Sequence, residues 1–215
     1  MFSGYFAYTQ YMRLNCCTWP GSNPLMVKYH DEEWGVPCHD DRKLFEYIVL
    51  DTFQAGLSWA IVLKKREGFR KAFDNFDPEI IANYGFKPIR ELENNAGIIR
   101  NKLKIAATVT NAQAFLAIQK EFGSFDKYIW QFVAPRQTRG DRERSRTVGG
   151  KPIINQHQKD SDIGATSPES DAMSADLKKR GFKFVGSTIC YAFMQSAGLV
   201  NDHLVSCFRY NDVQQ

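Results

Sequence analysis

The most informative stretch of the chain is Val49-Leu50-Asp51-Thr52-Phe53-Gln54-Ala55-Gly56-Leu57-Ser58-Trp59. Its residues are almost all apolar or small, yet it contains one carboxylate, Asp51. A buried carboxylate must be paired, hydrogen-bonded or used in binding, because burial of an unpaired charge is costly. The stretch therefore predicts either a core segment that uses Asp51 in a pocket, or a helix that begins here with Asp51 as its N-cap.

Two further residues of this stretch favour a ligand pocket. Trp59 follows Asp51 by eight residues, which on a continuous helix places both side chains near one face. Gly56 is a poor residue for a helix interior, so it indicates a break or a close backbone approach. An acid, an aromatic ring and a glycine turn together predict a pocket that stacks a flat cationic ligand and binds its polar edge.

Outside this stretch, local signals predict where several helices begin. Asp40 or Asp41 caps the helix that enters the apolar stretch, since acids suit a helix N-terminus. Asp77-Pro78 predicts another start, with proline in the first helical position. Ser167 or Ser170 caps a helix near the C-terminal end.

The composition is that of an ordinary globular protein. A length of 215 residues suits one domain or two small ones, and 43% hydrophobic with 24% charged residues is typical of a water-soluble fold. A net charge of +4 is compatible with a polyanionic partner without requiring one. There is no apolar run of about 18 residues and no signal-peptide pattern, so we expect a cytoplasmic protein without a membrane span. We also expect a monomer.

The cysteines and histidines near the two chain ends form two pairs. Five cysteines without an export signal indicate free thiols or metal binding rather than a disulfide framework. Cys17 and His30 form one pair, and His203 and Cys207, four residues apart as on one helical face, form the other. Together they make a Cys2His2 set of the kind that holds zinc and fastens two segments together. Spacing alone favours four unrelated buried residues, and Cys16 is a competing ligand.

Residues 87–118 have the layout of two helices around a tight turn. The turn covers Asn95–Asn101 with Gly97 at its centre, and a second helix begins at Lys102. Turn amides and the start of the second helix are suited to a phosphate, as in a helix-hairpin-helix motif. Further positive charge comes from Arg100, Lys102 and Lys104. The alternative is a plain helical hairpin on the surface, which is more common.

Two segments carry no clear pattern. Residues 1–14 are interpreted as an N-terminal extension. Residues 135–162 are interpreted as a long basic loop, which contacts a nucleic-acid backbone or is a solvated insertion. Its arginines are Arg136, Arg139, Arg142, Arg144 and Arg146.

Five blocks, in order along the chain, carry a family resemblance. They are Tyr29-His30-Asp31-Glu32-Glu33-Trp34-Gly35-Val36-Pro37, Gln54–Trp59, Ala96–Arg100, Lys178–Gly186 and Gly198–His203. These blocks closely resemble the bacterial DNA-3-methyladenine glycosylase I family, and the similarity extends from Cys17 to Cys207 outside most of the basic loop. The resemblance implies an all-α fold. It has a helix-hairpin-helix DNA glycosylase core at 46–164, and a small zinc-stapled domain made from 15–45 and 165–215.

The resemblance also implies a function. The expected enzyme is a monofunctional DNA repair glycosylase that hydrolyses the N-glycosidic bond of 3-methyladenine in alkylated double-stranded DNA and leaves an abasic site.

One structural zinc ion per chain falls on Cys17, His30, His203 and Cys207. The catalytic pair that binds the base edge falls on Asp51 and Tyr29, the stacking rings are Trp19 and Trp59, and Trp34 and Met26 complete the pocket. DNA contacts are expected at Gly97, Arg100 and Lys102, and, from their position and apolar character, at Gly56 and Leu57, which insert where the base has left.

Two positions depart from the family pattern. The family usually has glutamate where this chain has Asp51, and often tyrosine where it has Met26. The shorter acid leaves two alternatives open: a zinc-stapled DNA-lesion binding protein without efficient catalysis, and a glycosylase with altered alkylbase specificity, for example for 3-methylguanine.

Overall fold

The computed structural model describes residues 16–133 and 150–214. It is mostly helical, with 61% helix and little strand, which agrees with the predicted all-α class. The helices are α1 (Pro24–Glu32), α2 (Asp41–Gln54), α3 (Trp59–Ala72), α4 (Pro78–Ile81), α5 (Phe86–Asn94), α6 (Lys102–Phe122), α7 (Phe125–Ile129), α8 (Pro168–Lys179), α9 (Ser187–Ser196) and α10 (Arg209–Asp212). The extension 1–14 and the loop arginines lie outside the described residues.

Helix α2 is the centre of the core. The side chain of Asp40 accepts a hydrogen bond from the Lys43 amide at 2.8 Å, which confirms the predicted cap. The helix then continues through Asp51, and its residues 44–53 are all buried. The interpretation of Asp51 as an N-cap is therefore wrong, because the helix begins well before it. Helix α2 packs against α3, α6, α7 and α9.

The chain turns sharply after α2. Helix α2 ends at Gln54, and α3 begins at Trp59. Gly56 between them has a φ of +80°, the left-handed region that favours glycine, so the predicted break is confirmed. Asp51 and Trp59 consequently lie on two helices, and the expectation of one shared helical face is wrong.

Lys104 anchors this turn from the inside. The prediction that it adds charge to a DNA-facing surface is wrong, because the residue is only 5% exposed. Its ammonium group donates to the carbonyl oxygens of Phe53 at 3.0 Å and Ala55 at 2.7 Å. The last carbonyls of a helix lack partners within the helix and lie at its negative end. A lysine of α6 therefore fixes the end of α2.

The turn between α5 and α6 is docked on α3. The Asn95 side chain accepts a hydrogen bond from the Gly97 amide at 2.8 Å, which closes the turn. Lys65 of α3 donates to the carbonyl oxygen of Ala96 at 2.7 Å. A Cβ atom on Gly68 of α3 would overlap the carbonyl oxygen of Gly97, so the two backbones touch. The predicted arrangement of two helices around this turn is present.

The second half of the predicted basic loop is packed against the protein. Ile153–Ile154 (β1) pairs in parallel with Val200–Asn201 (β2), and a 3-10 turn covers Asp160–Asp162. Ser167 then caps α8, with a reciprocal bond from Ser170. Hydrogen bonds hold residues 150–162 to the protein while their side chains are partly or fully exposed, and the interpretation as a nucleic-acid contact or a solvated insertion stays a prediction. In the described ranges, no helix has the length and apolar character needed to cross a membrane.

The predicted division into a terminal domain and a central domain stays a prediction. Its first boundary, between residues 45 and 46, falls inside α2. Core residues from both parts pack into one hydrophobic cluster.

A buried ion network joins α1, α2 and α3. Arg66 of α3 donates to Glu46 of α2 at 2.7 Å and to both carboxylate oxygens of Glu33 at 2.8 Å. Burial raises the pKa of Glu33, but the hydrogen bonds and charge of Arg66 outweigh it and lower the pKa to about 2. Arg66 and Glu46 are 7% and 6% exposed, so their charges depend on each other.

Replacement of Arg66 is expected to lower the free energy of unfolding of the protein. Arg66→Met removes the two-bond partner of Glu33 and one of several partners of Glu46, which keeps Arg70 and Lys43. Breaking a buried pair typically costs about 3–5 kcal/mol, and we expect a loss at the lower end of that range. Urea unfolding measures the loss. The control is Lys64→Met on the exposed side of the same helix, for which a change within about 0.5 kcal/mol is expected. Equal losses for the two variants would contradict a structural role of the network.

Candidate functional site

One cavity brings six predicted site residues together. It has a volume of about 320 Å³ and lies between α1, α2, α3, α9 and the turn Asp160–Asp162. The predicted residues that line it are Trp19, Met26, Tyr29, Trp34, Asp51 and Trp59. The lining residues that sequence reasoning missed are Gln54, Asp160, Ile163, Ala192, Gln195 and Ser196.

Aromatic rings form much of the cavity wall. The ring centroids of Tyr29 and Trp59 are 5.2 Å apart, and those of Trp19 and Trp34 are 4.9 Å apart. Trp19 also meets Tyr29 edge-on at 6.4 Å. Such walls attract a flat ligand by stacking, and a positively charged one by the electron-rich ring faces.

Asp51 places a buried acid at this wall. The residue is 1% exposed, and the hydroxyl of Ser196 is hydrogen-bonded to it. Tyr29 in turn donates its phenol proton to the Ser196 oxygen at 2.9 Å. The second carboxyl oxygen of Asp51, Oδ2, is buried and has no partner. Burial raises the pKa of Asp51 well above its usual range, because an ionised carboxylate is poorly stabilised without solvent.

Tyr29 keeps its proton in this setting. Burial raises the pKa of its phenol well above the ordinary value, and the charge of Asp51 adds to that shift. The phenol therefore remains a hydrogen-bond donor at neutral pH.

Several buried polar atoms of the cavity wall lack hydrogen-bond partners. Among the described residues, six buried side-chain nitrogen or oxygen atoms have no hydrogen-bond partner, and four of them belong to residues that line this cavity. They are the indole nitrogens of Trp19 and Trp59 and one carboxyl oxygen each of Asp51 and Asp160. Buried polar atoms are rarely left unpaired, so this concentration indicates a ligand with both donors and acceptors.

A second buried acid holds one residue of the cavity wall in place. Asp202 is 1% exposed and accepts hydrogen bonds from Tyr191 at 2.8 Å and from Gln195 at 2.7 Å. Asn155 donates to its other oxygen at 2.6 Å. Asp202 therefore ties the segment of β1 to the cavity-lining Gln195.

The predicted DNA contacts lie outside the cavity. Leu57 is 40% exposed in the turn that follows the cavity-lining Gln54, with Gly56 beside it. Gly97, Arg100 and Lys102 are exposed at the α5–α6 turn. None of these five residues is among the described residues that line the cavity.

The four predicted metal ligands meet in one buried cluster. The sulfur of Cys17 lies 3.8 Å from Nδ1 of His203, and the sulfur of Cys207 lies 3.7 Å from Nε2 of His30 and 3.8 Å from Nδ1 of His203. The opposite ring nitrogens are occupied, since His203 Nε2 is 2.9 Å from the Trp34 carbonyl oxygen and His30 Nδ1 is 2.8 Å from Asp31. Both imidazoles thus turn their other ring nitrogen towards the sulfurs.

Cys16 also belongs to this cluster. It forms a disulfide with Cys207, and its sulfur is 3.7 Å from Nε2 of His30. The tightest group of possible ligand atoms, all within 4.8 Å of one another, is Cys16, Cys17, His30 and Cys207. The expectation that His203 and Cys207 share a helical face is wrong, because the chain forms turns there and α10 begins only at Arg209.

Burial sets the charge of the cluster. It raises the pKa of the Cys17 thiol to about 11 and lowers the pKa of His203 to about 3, with the nearby His30 adding to the latter effect. The remaining cysteines, Cys38 and Cys190, are free, and Cys190 is buried.

Fold and cavity together define the class: a helical protein with a cavity walled by aromatic rings and a buried acid, a lining suited to a flat ligand. A family model for methyladenine glycosylase matches residues 19–210. The chain is 45% identical over 194 residues to DNA-3-methyladenine glycosylase 1 of Escherichia coli (strain K12), covering 90% of this chain and 96% of that protein. The chain belongs to the methyladenine glycosylase family.

Solved structures agree with this assignment. A crystal structure of 3-methyladenine DNA glycosylase I is 48% identical, with a TM-score of 0.80 over 90% of this chain and 98% of that one. A structure that describes 3-methyladenine recognition by the Staphylococcus aureus glycosylase is 34% identical, with a TM-score of 0.81 over 91% and 96% of the two chains.

The buried acid is expected to lower stability at neutral pH. Asp51 is ionised in the unfolded chain, whereas burial favours its protonated form in the fold, so folding takes up a proton. The free energy of unfolding therefore falls as the pH rises from the ordinary carboxyl range towards the raised pKa. Asp51→Asn carries no charge and is expected to melt at a higher temperature than the parent at about pH 7, with the gain shrinking towards about pH 4.

Thermal melts at several pH values check this expectation. Glu91→Gln at an exposed position serves as the control and is expected to show no such trend. A gain for Asp51→Asn that is the same at every pH would contradict a raised pKa for this carboxyl group.

Proposed function

We propose that this protein is a monofunctional DNA glycosylase that removes 3-methyladenine from alkylated DNA and leaves an abasic site. The observation that carries the proposal is the unpaired, buried oxygen of Asp51 in a cavity walled by tryptophans. Family membership gives independent support, because relatives at 45% identity carry the name DNA-3-methyladenine glycosylase. We further propose that it acts as a monomer on double-stranded DNA.

The cavity suits a methylated base because that base is a flat cation. Trp59 and Trp19 stack on its faces, and Asp51 accepts a hydrogen bond from its amino edge through Oδ2. Tyr29 donates its proton to Ser196, so it offers its phenol oxygen as a further acceptor next to the acid. Neutral adenine lacks the positive charge, so a buried carboxylate discriminates against it. Met26 and Trp34 complete the wall.

Cleavage of the bond between the sugar and a cationic base needs little acid catalysis from the protein. When the bond between the sugar and a cationic base breaks, the base departs with the bonding electrons as a neutral molecule. Water then adds to the sugar carbon and loses one proton to the solvent. No acid has to protonate the leaving group. The described residues that line the cavity include no lysine, which fits hydrolysis rather than an amine-linked route. The protein's contribution is extrusion of the nucleotide, stacking and charge recognition.

DNA is proposed to bind across two exposed features. The turn amides near Gly97, with Arg100 and Lys102, suit phosphate oxygens. Leu57, on the turn next to the cavity, is placed to fill the space that an extruded base leaves in the helix, and Gly56 allows that turn its shape. Both features are fixed to α3 or to the end of α2, so their spacing is set by the core.

We also propose one structural zinc ion per chain, held by Cys17, His30, His203 and Cys207, which fastens the terminal segments to each other. The sulfur–nitrogen distances are 3.7 to 3.8 Å. Two ligands of one tetrahedral zinc ion, one sulfur and one nitrogen, lie about 3.6 Å apart, so the observed distances are close to that value. The Leu204 amide, 3.4 Å from the Cys17 sulfur, would stabilise a thiolate. Zinc requires Cys207 as a thiolate, so it competes with the Cys16–Cys207 disulfide.

The direct test is release of free bases from methylated DNA, separated by chromatography. The parent protein is expected to release 3-methyladenine. Asp51→Asn keeps the shape and loses the charge, so its excision rate is expected to fall on the order of 100-fold, as when one preorganised transition-state contact is removed. Asp51→Glu, which restores the acid usual in the family, is expected to retain activity.

Other outcomes of the same assay identify the alternatives. A protein that binds methylated DNA and releases no base is a lesion-binding protein. Release of another alkylated base, such as 3-methylguanine, in place of 3-methyladenine indicates altered specificity. Unchanged excision by Asp51→Asn would remove Asp51 from the mechanism.

Two serine variants separate the zinc ligands from the competing cysteine. Under reducing conditions Cys207→Ser is expected to lose zinc and to melt about 5 °C lower or more, whereas Cys16→Ser is expected to retain about one zinc per chain and its melting temperature. Elemental analysis and thermal melts provide the readouts. Equal metal content in the two variants would contradict the assigned ligand set.

A further inference from the structure

Asp160 brings a second carboxylate to the cavity. It begins the 3-10 turn Asp160–Asp162, within the segment that the sequence predicted to be a loop, and it lines the same cavity as Asp51. No sequence signal marked it, because its position depends on the packing of residues 150–163 against the remainder of the protein.

The Asp160 side chain is held in a fixed orientation. Its Oδ2 oxygen accepts a hydrogen bond from the Thr18 amide at 2.8 Å and is also contacted by the Thr18 hydroxyl. Thr18 is the residue before the cavity-lining Trp19, so the contact joins two parts of the cavity wall. The other oxygen, Oδ1, is buried and has no partner.

The arrangement repeats the one at Asp51. In each carboxyl group one oxygen is occupied by a protein hydroxyl, from Ser196 or Thr18, and the other is buried without a partner. A positively charged ligand in the cavity is attracted by each carboxylate, which offsets the cost of burying that carboxylate. A neutral ligand gives no such compensation.

We infer that Asp160 is a second specificity-determining acid, which together with Asp51 selects a positively charged purine over a neutral one. The inference rests on the proposed function, since it concerns the same cavity. Asp160 acts on binding of the cation, whereas Asp51 also meets the base edge, so loss of Asp160 weakens selection without abolishing excision.

The test uses two base analogues that differ in charge. In the cation 3,9-dimethyladeninium a methyl group replaces the sugar of the lesion, and 9-methyladenine is its neutral counterpart. Quenching of tryptophan fluorescence reports their binding, because three tryptophans line the cavity. Asp160→Asn keeps an oxygen for Thr18 and removes the charge. It is expected to bind the cation about tenfold more weakly and the neutral analogue equally well.

The matched control is Asp162→Asn in the same turn. Asp162 accepts hydrogen bonds from the amides of Gln158 and Lys159 and is not among the described residues of the cavity wall. It is expected to bind both analogues as the parent does. Equal weakening of both analogues by Asp160→Asn would show a purely structural role and overturn the inference, as would unchanged binding of the cation.

Base release by the parent protein, measured on the same preparation, separates this inference from the proposed function. Release of 3-methyladenine with unchanged cation binding by Asp160→Asn overturns only the role of Asp160. A parent protein that neither releases a base nor prefers the cation overturns both.

Discussion

The structure depends on one constraint: a carboxyl group inside the central helix has an oxygen that the protein leaves without a partner. An unpaired buried polar atom typically costs about 1–3 kcal/mol, which is a large share of the stability of a domain. The unpaired oxygen of Asp51 lies at the wall of a cavity. Two tryptophans whose indole nitrogens are also unpaired line the same cavity. A cation bound there would satisfy the acid and the rings together. Under the proposed function, the same feature that lowers stability provides the recognition.

Contacts elsewhere in the fold fix the position of Asp51 relative to the other parts of the proposed site. Arg66 joins α3 to α2, which fixes Trp59 at the start of α3 relative to Asp51. Lys104 closes the end of α2 and so positions the turn that carries Leu57. Close contact between Gly68 and the α5–α6 turn places that turn on the same helix α3. Cavity, apolar turn and helical hairpin thus share one rigid frame, which is what extrusion of a single nucleotide from DNA requires.

Sequence reasoning succeeded where the signal is local or where several residues act together. The caps at Asp40 and Ser167 and the break at Gly56 follow from the preferences of single residues, and the structure confirms each. Asp51 and Trp59 were correctly expected to meet in one pocket, but for a wrong reason, since they lie on different helices.

The remaining errors concern contacts between distant parts of the chain. Lys104 was assigned to a surface because its partners, the carbonyls of Phe53 and Ala55, are backbone atoms that no sequence pattern marks. Ser196 and Asp160 were missed because an isolated serine in an apolar helix and an acid in a polar loop have no functional signature. The disulfide of Cys16 shows the same limit, because spacing could not decide which of two adjacent cysteines pairs with Cys207.

The most direct test of the central claim is the ionisation of Asp51 itself. Its carboxyl signal in ¹³C NMR, identified by its loss in Asp51→Asn, can be followed against pH in the free protein and with saturating 3,9-dimethyladeninium. We expect a raised pKa in the free protein that falls by more than about one unit when the cation binds, because a positive charge next to the acid favours its ionised form. A pKa that the cation leaves unchanged, or that neutral 9-methyladenine lowers as much, would contradict recognition of the base through its charge.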